Sequence, residues 1–361
     1  MKVCVYAICK NESAFIPRWM NSMQEADAVY VLDTGSEDDS VELLRANGAI
    51  VHEERIEPWR FDTARNRSLS YVPEDTDICV CTDLDEVFHP GWRDAVERAW
   101  CGNVNQLRYR YTWNFNRDGS EGYVFYIEKI HARHGFSWHG AVHEVLRASN
   151  IVQAEATGVQ LDHRADETKS RASYLPLLEL AVNEEPDNDR NLHYLGREYM
   201  FYRRWDDAIR LLERHLRCKH AVWRDERCAS MRFLSRCCRE KGDTAAAEVW
   251  NLRAIAEAPH LREPWIEFAA YLQQQGDWHG SIFALERALA ISERPRSYIS
   301  EASSWGALPY DLLSLGYYYC GDLQKAQCAA EAALAITPDD ARIRQNLQLI
   351  RDHLSRRNDH L

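Results

Sequence analysis

The sequence predicts an α/β domain built on a largely parallel sheet, followed by an all-α solenoid of helical repeats. Three observations carry that expectation. Strand-length apolar runs alternate with amphipathic stretches through the first half, two of those runs end on carboxylates, and glycines recur at fixed offsets from small residues through the second half. Alternation of this kind favours parallel strands covered by helices, and self-similarity near 34 residues marks stacked helix pairs.

Lys2 to Cys9 reads as the first strand, running into Lys10, Asn11 and Glu12, and Phe15 to Glu25 carries Phe15, Ile16, Trp19, Met20 and Met23 at helical spacing. A second strand, Ala28 to Leu32, ends on Asp33 in DTGSEDDS. There Gly35 permits a tight turn, and Ser36 with Asp38 or Asp39 can cap a helix over Val41 to Ala46. A third strand at Ala49 to Glu53 precedes a helix from about Phe61 to Tyr71, with Asp62, Arg65 and Asn66 on or near one face. Arg65 there can meet a diphosphate; the plainer reading is an exposed charged helix. Ile78 to Cys81 is short, apolar and bounded by polar residues, so it reads as a buried strand delivering Asp83, Asp85 and Glu86.

Ligands of open α/β sheets bind outside the carboxyl ends of the strands. Asp33, Asp83 and Asp85 are therefore expected to share one site, one acid accepting from a base or ribose and the others holding Mg2+ or Mn2+ on phosphate oxygens. The alternative is a solvated acidic turn. Neither a G-x-G-x-x-G fingerprint nor a Walker A loop occurs. Beyond a helix at Gly91 to Trp100, the run Gln106 to Asn116 sets Leu107, Tyr109, Tyr111, Trp113 and Phe115 on one face, as sheet core in preference to sugar-stacking rings. A hairpin at Arg117 to Gly122 leads to a strand at Tyr123 to His131, and a further strand at Thr157 to Leu161 precedes His163.

Taken in order and spacing, AICKNE, VLDTGSEDDS, RFDTARNRSL and CTDLDEVF resemble the glycosyltransferase family 2 enzymes of GT-A fold, most of all the bacterial and phage subgroup that joins such a domain to tetratricopeptide repeats. The resemblance covers about the first 165 residues, departing where Thr82 and two cysteines flank the strand before the acids. It implies a nucleoside diphosphate sugar donor, with a uridine nucleotide expected, and inversion at the anomeric carbon. By the same resemblance Asp33 contacts the base, with Glu12, Thr34, Asp62, Arg65 and Asn66 around the nucleotide-sugar. Asp83 meets the ribose or the metal, and Asp85 binds the metal that bridges the diphosphate. FSWHGAVHEVL, Phe136 to Leu146, resembles the family's W-x-G-x-V-H-E block over the acceptor side. There His143 is a metal ligand or pyrophosphate contact and Glu144 the general base, with Asp166 as the alternative base. His163 is preferred to His143 as third metal ligand, against the plain alternative of a hydrogen-bonded, half-buried imidazole.

In the second half, Gly242, Gly276 and Gly321 are each followed by Ala or Ser five residues on and by Ala twelve residues on. Gly242 to Gly276 is the tetratricopeptide period of about 34 residues. An earlier unit carries Leu192, Leu195, Gly196, Tyr199, Trp205 and Ala208, with Arg203 in the place of the turn glycine. Ser292 to Ser304 absorbs a displacement of the last unit, and Ala341 to Arg356 reads as a polar capping helix. The domains are then residues 1–165 (transferase), 166–190 (a linking helix, from Ser170 to Asn183) and 191–361 (repeats).

The chain has 361 residues and a net charge of -12, which disfavours generic attraction to nucleic acid. Its eleven cysteines show no C-x-x-C spacing, so buried free thiols in a reducing cytoplasm are expected. No apolar run is long enough to span a bilayer. The expected protein is a metal-dependent transferase acting on a peptide or protein acceptor, with a possible homodimer through the repeats. The rivals are a catalytically silent repeat scaffold and transfer to a glycan or modified nucleic acid. A sugar nucleotidyltransferase is set aside, because AICKNESAF is not a Gly-rich, basic loop.

Overall fold

The computed structural model describes residues 1–116, 119–165 and 174–358. Asp166, the start of the expected linking helix and the tip of the Arg117 to Gly122 hairpin lie outside them. The chain divides into two compact units, Met1–Glu184 and Glu185–Leu361.

The first unit runs β1 (Val3–Cys9), α1 (Ile16–Ser22), β2 (Ala28–Asp33), α2 (Ser40–Ala46), β3 (Ile50–Glu53), α3 (Phe61–Ser70), β4 (Ile78–Cys81), β5 (Glu86–Phe88), α4 (Trp92–Ala99), β6 (Gln106–Thr112), β7 (Val124–Ala132), β8 (Phe136–His139), β9 (Val145–Ala148), β10 (Gln153–His163) and α5 (Tyr174–Glu184). Eight strands form one mixed sheet in the order β3-β2-β1-β4-β7-β6-β10-β5, and β8 pairs with β9. β1 carries Val3, Val5, Ala7 and Cys9 to a core shared with Trp19, Leu44 and Trp92 of α1, α2 and α4. Its alternate residues Cys4 and Tyr6 face Leu69 of α3 and Trp138 of β8. With both faces covered, the strand is apolar throughout, as buried parallel strands are.

Strand β5 was not foreseen as a strand, and it shapes the domain. Cys81 and Glu86 are separated by at most about 18 Å of chain, yet β4 and β5 stand four places apart in the sheet, about 19 Å if it were flat. The sheet must therefore curl into a half-barrel, and the turn between these strands crosses its open end. The aromatic stripe is mostly core: Tyr109 and Tyr111 are buried, whereas Trp113, past the end of β6, is 40% exposed. Of the two aspartates expected to cap α2, Asp39 makes no side-chain cap and Asp38 accepts from the Ser40 backbone N–H at 3.1 Å.

Behind the sheet, His131 lies at the end of a closed hydrogen-bond chain. Trp138 Nε1 donates to the Tyr6 hydroxyl at 2.7 Å, and Tyr6 contacts His131 Nε2 at 2.8 Å. The partner of Nδ1 is the Ala132 carbonyl, which only accepts, so the neutral ring has its proton on Nδ1. Burial lowers the His131 pKa to about 4. An unfolded histidine titrates near 6.5, so between these values the unfolded state binds more protons and stability falls as pH falls. Urea unfolding should show a loss from this group of about 2 kcal/mol at pH 5 relative to pH 7. His131→Gln should remove that part of the slope; an unchanged slope would contradict the arrangement.

The second unit is nine helices among the described residues: α6 (Asp189–Phe201), α7 (Trp205–Arg217), α8 (Arg224–Glu240), α9 (Thr244–Glu257), α10 (Arg262–Gln274), α11 (Trp278–Leu289), α12 (Leu308–Tyr319), α13 (Leu323–Ile336) and α14 (Ala341–Asn358). Gly242, Gly276 and Gly321 turn between paired helices with φ of +82°, +78° and +79°. Each is followed by an Asp whose side chain caps the next helix, at Asp243, Asp277 and Asp322. Seven residues before each turn stands a small buried side chain, Ser235, Ala269 or Ser314. At the matching Gly196 a Cβ would meet Leu212 at 2.7 Å. The helices of each pair approach closely because these positions are small.

Arg203 holds the first turn with a φ of +57°. A side chain in that region costs about 1–2 kcal/mol, partly offset by the greater unfolded-state freedom of glycine. Arg203→Gly should therefore raise stability by about 0.5–1 kcal/mol, read as a higher urea midpoint; a lower midpoint would show the turn to be unstrained. Twelve residues past Arg203 the repeat's usual Ala is replaced by the buried His215. All eleven cysteines are unbonded, seven of them buried. No helix among the described residues is long and apolar enough to cross a membrane.

Candidate active site

The site forms where β4 gives way to β5. Because β5 runs antiparallel to β10 with His163 opposite Glu86, and Arg164 N–H extends the ladder to the Asp85 carbonyl at 2.7 Å, Asp85 is set beside His163. Asp85 Oδ2 and His163 Nε2 stand 3.3 Å apart. His163 Nδ1 bonds the Trp113 carbonyl at 2.9 Å, and its ring stacks on Trp113 with centroids 4.4 Å apart. A carbonyl only accepts, so Nδ1 carries the proton and a neutral ring aims the Nε2 lone pair at a carboxylate oxygen. Two acceptors so placed call for a cation between them. Burial opposes a charge on His163, but Asp85 more than offsets it and the pKa is raised.

A divalent cation answers the same demand. Mg2+ takes oxygen ligands at about 2.1 Å and is usually held by one or two carboxylates plus substrate phosphates, and Mn2+ also accepts imidazole. Donors at right angles on such an ion lie about 3 Å apart, and metal-binding histidines characteristically donate their other N–H to a carbonyl. Asp85 and His163 fit both criteria. Asp83 does not join them here: its Oδ1 accepts from Arg65 Nη2 at 2.8 Å and its Oδ2 from Lys129 Nζ at 2.8 Å. Among the described residues no group of three or more His, Cys, Asp or Glu side chains is arranged to hold a metal. Asp85 and His163 are thus the two residues here that could take part in holding a cation.

Beneath that pair runs a charged network. Arg65, buried on α3, donates to Glu144 Oε1 at 2.5 Å and to Asp83, contacts Cys81 Sγ at 3.3 Å, and stacks over Trp138. The sequence reading gave Arg65 to a diphosphate; here its three nitrogens are all engaged within the protein. Lys129 bridges Asp83 to Glu86 Oε1 at 2.8 Å, and Glu86 also accepts from the Tyr111 hydroxyl at 2.9 Å. Burial disfavours the Asp83 charge, but Arg65 and Lys129 hold the carboxyl well below the usual range. Burial raises Glu86, with the Asp83 charge acting in the same direction.

The other predicted residues are placed as follows. Asp33 ends β2, which like β4 pairs in parallel with β1, so Asp33 and Asp83 lie at one edge. Asp33 is nevertheless 2% exposed, accepts from Gly35 N–H and Ser36 N–H at 2.9 Å each, and bonds the Ser36 hydroxyl. It anchors its own loop. Thr34 Oγ1 donates to the Cys9 carbonyl at 3.0 Å, and Glu12 N–H donates to Ser40 at 2.8 Å. Asp62 is clamped by Arg60 and accepts from Gly140 N–H at 3.0 Å, and Asn66 pairs with both backbone groups of Trp138 at 2.8 Å. These two fasten α3 to the Phe136–Leu146 block. His143 lies there with a φ of +52°, its ring 6.1 Å from Tyr174. Sequence reasoning missed Lys129 and gave Glu86 no role.

Residues 4–137 match the family model described as glycosyl transferase family 2. The first unit carries a glycosyl transferase family 2 domain. Its last sheet strand, β10, lies beyond the matched stretch, so the transferase domain draws His163 from outside it. Among solved structures the chain is similar to residues 41 to the end of MamA from Desulfovibrio magneticus RS-1, at 18% identity over 48% of this chain and 86% of that one, with a TM-score of 0.38. It is also similar to YrrB, titled a TPR protein with an unusual peptide-binding site, at 14% identity over 48% and 81% with a TM-score of 0.37. Yeast Tom70 matches at 12% identity over 52% and 37%, with a TM-score of 0.40. The helical unit that follows in the chain is a tetratricopeptide repeat by its own period and turns.

Proposed function

We propose that the transferase domain moves a sugar from a nucleoside diphosphate donor, a uridine nucleotide, to a peptide or protein acceptor with inversion. The observation that carries this reading is the Asp85–His163 pair, Oδ2 and Nε2 3.3 Å apart at the carboxyl edge of a glycosyl transferase family 2 sheet. Asp85 and His163 would hold a Mn2+ or Mg2+ there, which would supply positive charge against the departing diphosphate, and the Trp113 carbonyl fixes the imidazole tautomer. The Asp33 loop, with Glu12 and Thr34 at its foot, shapes the nucleotide recess. Asp62 and Asn66 hold the acceptor-side block in register. Arg65 and Lys129 keep Asp83 ionised and oriented toward the donor ribose. The exposed Trp113 ring offers a flat face to the apolar side of a sugar. Glu144, fixed through one oxygen by Arg65, takes the proton of the acceptor nucleophile as it attacks opposite the leaving diphosphate.

The second reading, a silent transferase fold on a repeat scaffold, draws on the engagement of Asp33 and Asp83 within the protein. Donor hydrolysis with and without Mn2+, over a panel of common nucleotide sugars, separates the two. Glu144→Gln should lower transfer by about 100-fold or more while leaving donor binding intact. Full transfer by that variant would move the base elsewhere. Absence of metal-dependent turnover and of nucleotide binding with every donor would favour the scaffold.

A further inference from the structure

The second unit contains a segment that does not belong to its own repeat. Gly242 and Gly276 are 34 residues apart, whereas Gly276 and Gly321 are 45 apart, and the excess lies between α11 and α12. Other than a single 3-10 turn at Ala302–Trp305, this insertion has no regular structure. It reaches back past its neighbours to the first helices of three earlier pairs, α6, α8 and α10. Tyr298 stacks on Tyr194 with centroids 6.0 Å apart, meets Trp223 edge-on at 5.4 Å, and donates its hydroxyl to Glu226. Three residues later Glu301 is bound by Arg232, with Arg236 at 3.4 Å, and its N–H donates to Glu263 at 2.9 Å.

These are the contacts an extended peptide makes in a groove: one ring in an aromatic notch and one carboxylate on paired guanidinium groups. The charge balance favours an acid at the second position. The Arg232 side chain is 2% exposed and shares Glu267 with Arg236, which grips Glu267 through bonds of 2.6 and 2.8 Å. Removal of Glu301 would take from the buried Arg232 its strongest carboxylate partner, leaving it Glu267, shared with Arg236, and the charge of Glu263, a costly change that an incoming anion offsets.

We propose that the face of α6, α8 and α10 is a docking site for an extended acidic segment of another protein, with an aromatic residue three positions ahead of a carboxylate, and that residues 292–304 occupy it as an internal mimic. Binding then requires the mimic to leave, so the partner's apparent affinity is lowered by the fraction of time the groove is closed. The inference rests on the second unit alone and is independent of the transfer reading.

The test uses the full-length chain and a fluorescent peptide of residues 293–303, followed by anisotropy. Tyr298→Ala/Glu301→Ala, with its own segment released, should bind the peptide at least tenfold more tightly than the wild type does. It should not bind a peptide in which the same two residues are Ala. A folded variant that binds no better than wild type, or binds both peptides alike, would overturn the proposal. Hydrogen exchange on the wild type decides the matter even if that variant does not fold: amides of residues 296–301 should exchange at least 100-fold faster than those of α8. Protection equal to that of α8 would make the segment a fixed part of the core.

Discussion

Asp85→Ala is expected to lower kcat/KM for metal-dependent donor turnover by about 1000-fold, roughly 4 kcal/mol of transition-state stabilisation, and to abolish saturable Mn2+ binding. Asp85 is the only carboxylate placed against His163 Nε2 among the described residues, at 3.3 Å. Without it one imidazole remains, too little to hold a hard cation at micromolar concentration, and on the proposed mechanism the charge growing on the leaving diphosphate would lose that offset. The side chain is 20% exposed and forms no ion pair with Arg65 or Lys129, so the variant should keep close to the wild-type unfolding midpoint. Calorimetric titration with Mn2+ beside donor kinetics reads both quantities. Unchanged metal affinity would refute the metal role of the pair, even if activity fell for another reason.

Lys129→Met is expected to destabilise the first unit by about 3 kcal/mol, because removing one partner of a buried ionic group leaves the other charge uncompensated. Glu86 is 1% exposed and would keep only the Tyr111 hydroxyl and the Asp83 N–H; Asp83, 35% exposed, would keep Arg65 and water. The loss should therefore be carried by Glu86. In Lys129→Met/Glu86→Gln more than half of it should return, a coupling that a double-mutant cycle in urea measures directly. If the double variant is as unstable as the sum of the two single ones, the lysine acts through packing and not through charge.

Much of the site's location was legible, since an apolar run ending in D-x-D places acids at a strand's carboxyl end. The pairing within the site was not. Asp85 meets His163 through three residues of β5, too few for a strand signature, whose partner lies far along the chain. Lys129 was hidden by a register shift between β6 and β7. Strict alternation would group Lys129 with Phe125 and Ile127, but the shift gives Ile130 to their core and turns Lys129 away. The role of Asp33 is legible locally: Gly35 and Ser36 just after it supply the N–H groups that such a side chain captures in a turn. The repeats were legible because their signals are local. The reach of Glu301 to Arg232, across 69 residues, was not.

The pairing of β5 with β10 also sets how short a fragment can be and still keep the Asp85–His163 pair. A fragment cut at residue 137, where the family match ends, would lose the strand that lies between β6 and β5. Two ladders would be stripped at once, the half-barrel would open along that seam, and the aspartate at its mouth would have no imidazole opposite. The smallest piece that keeps the pair extends past His163.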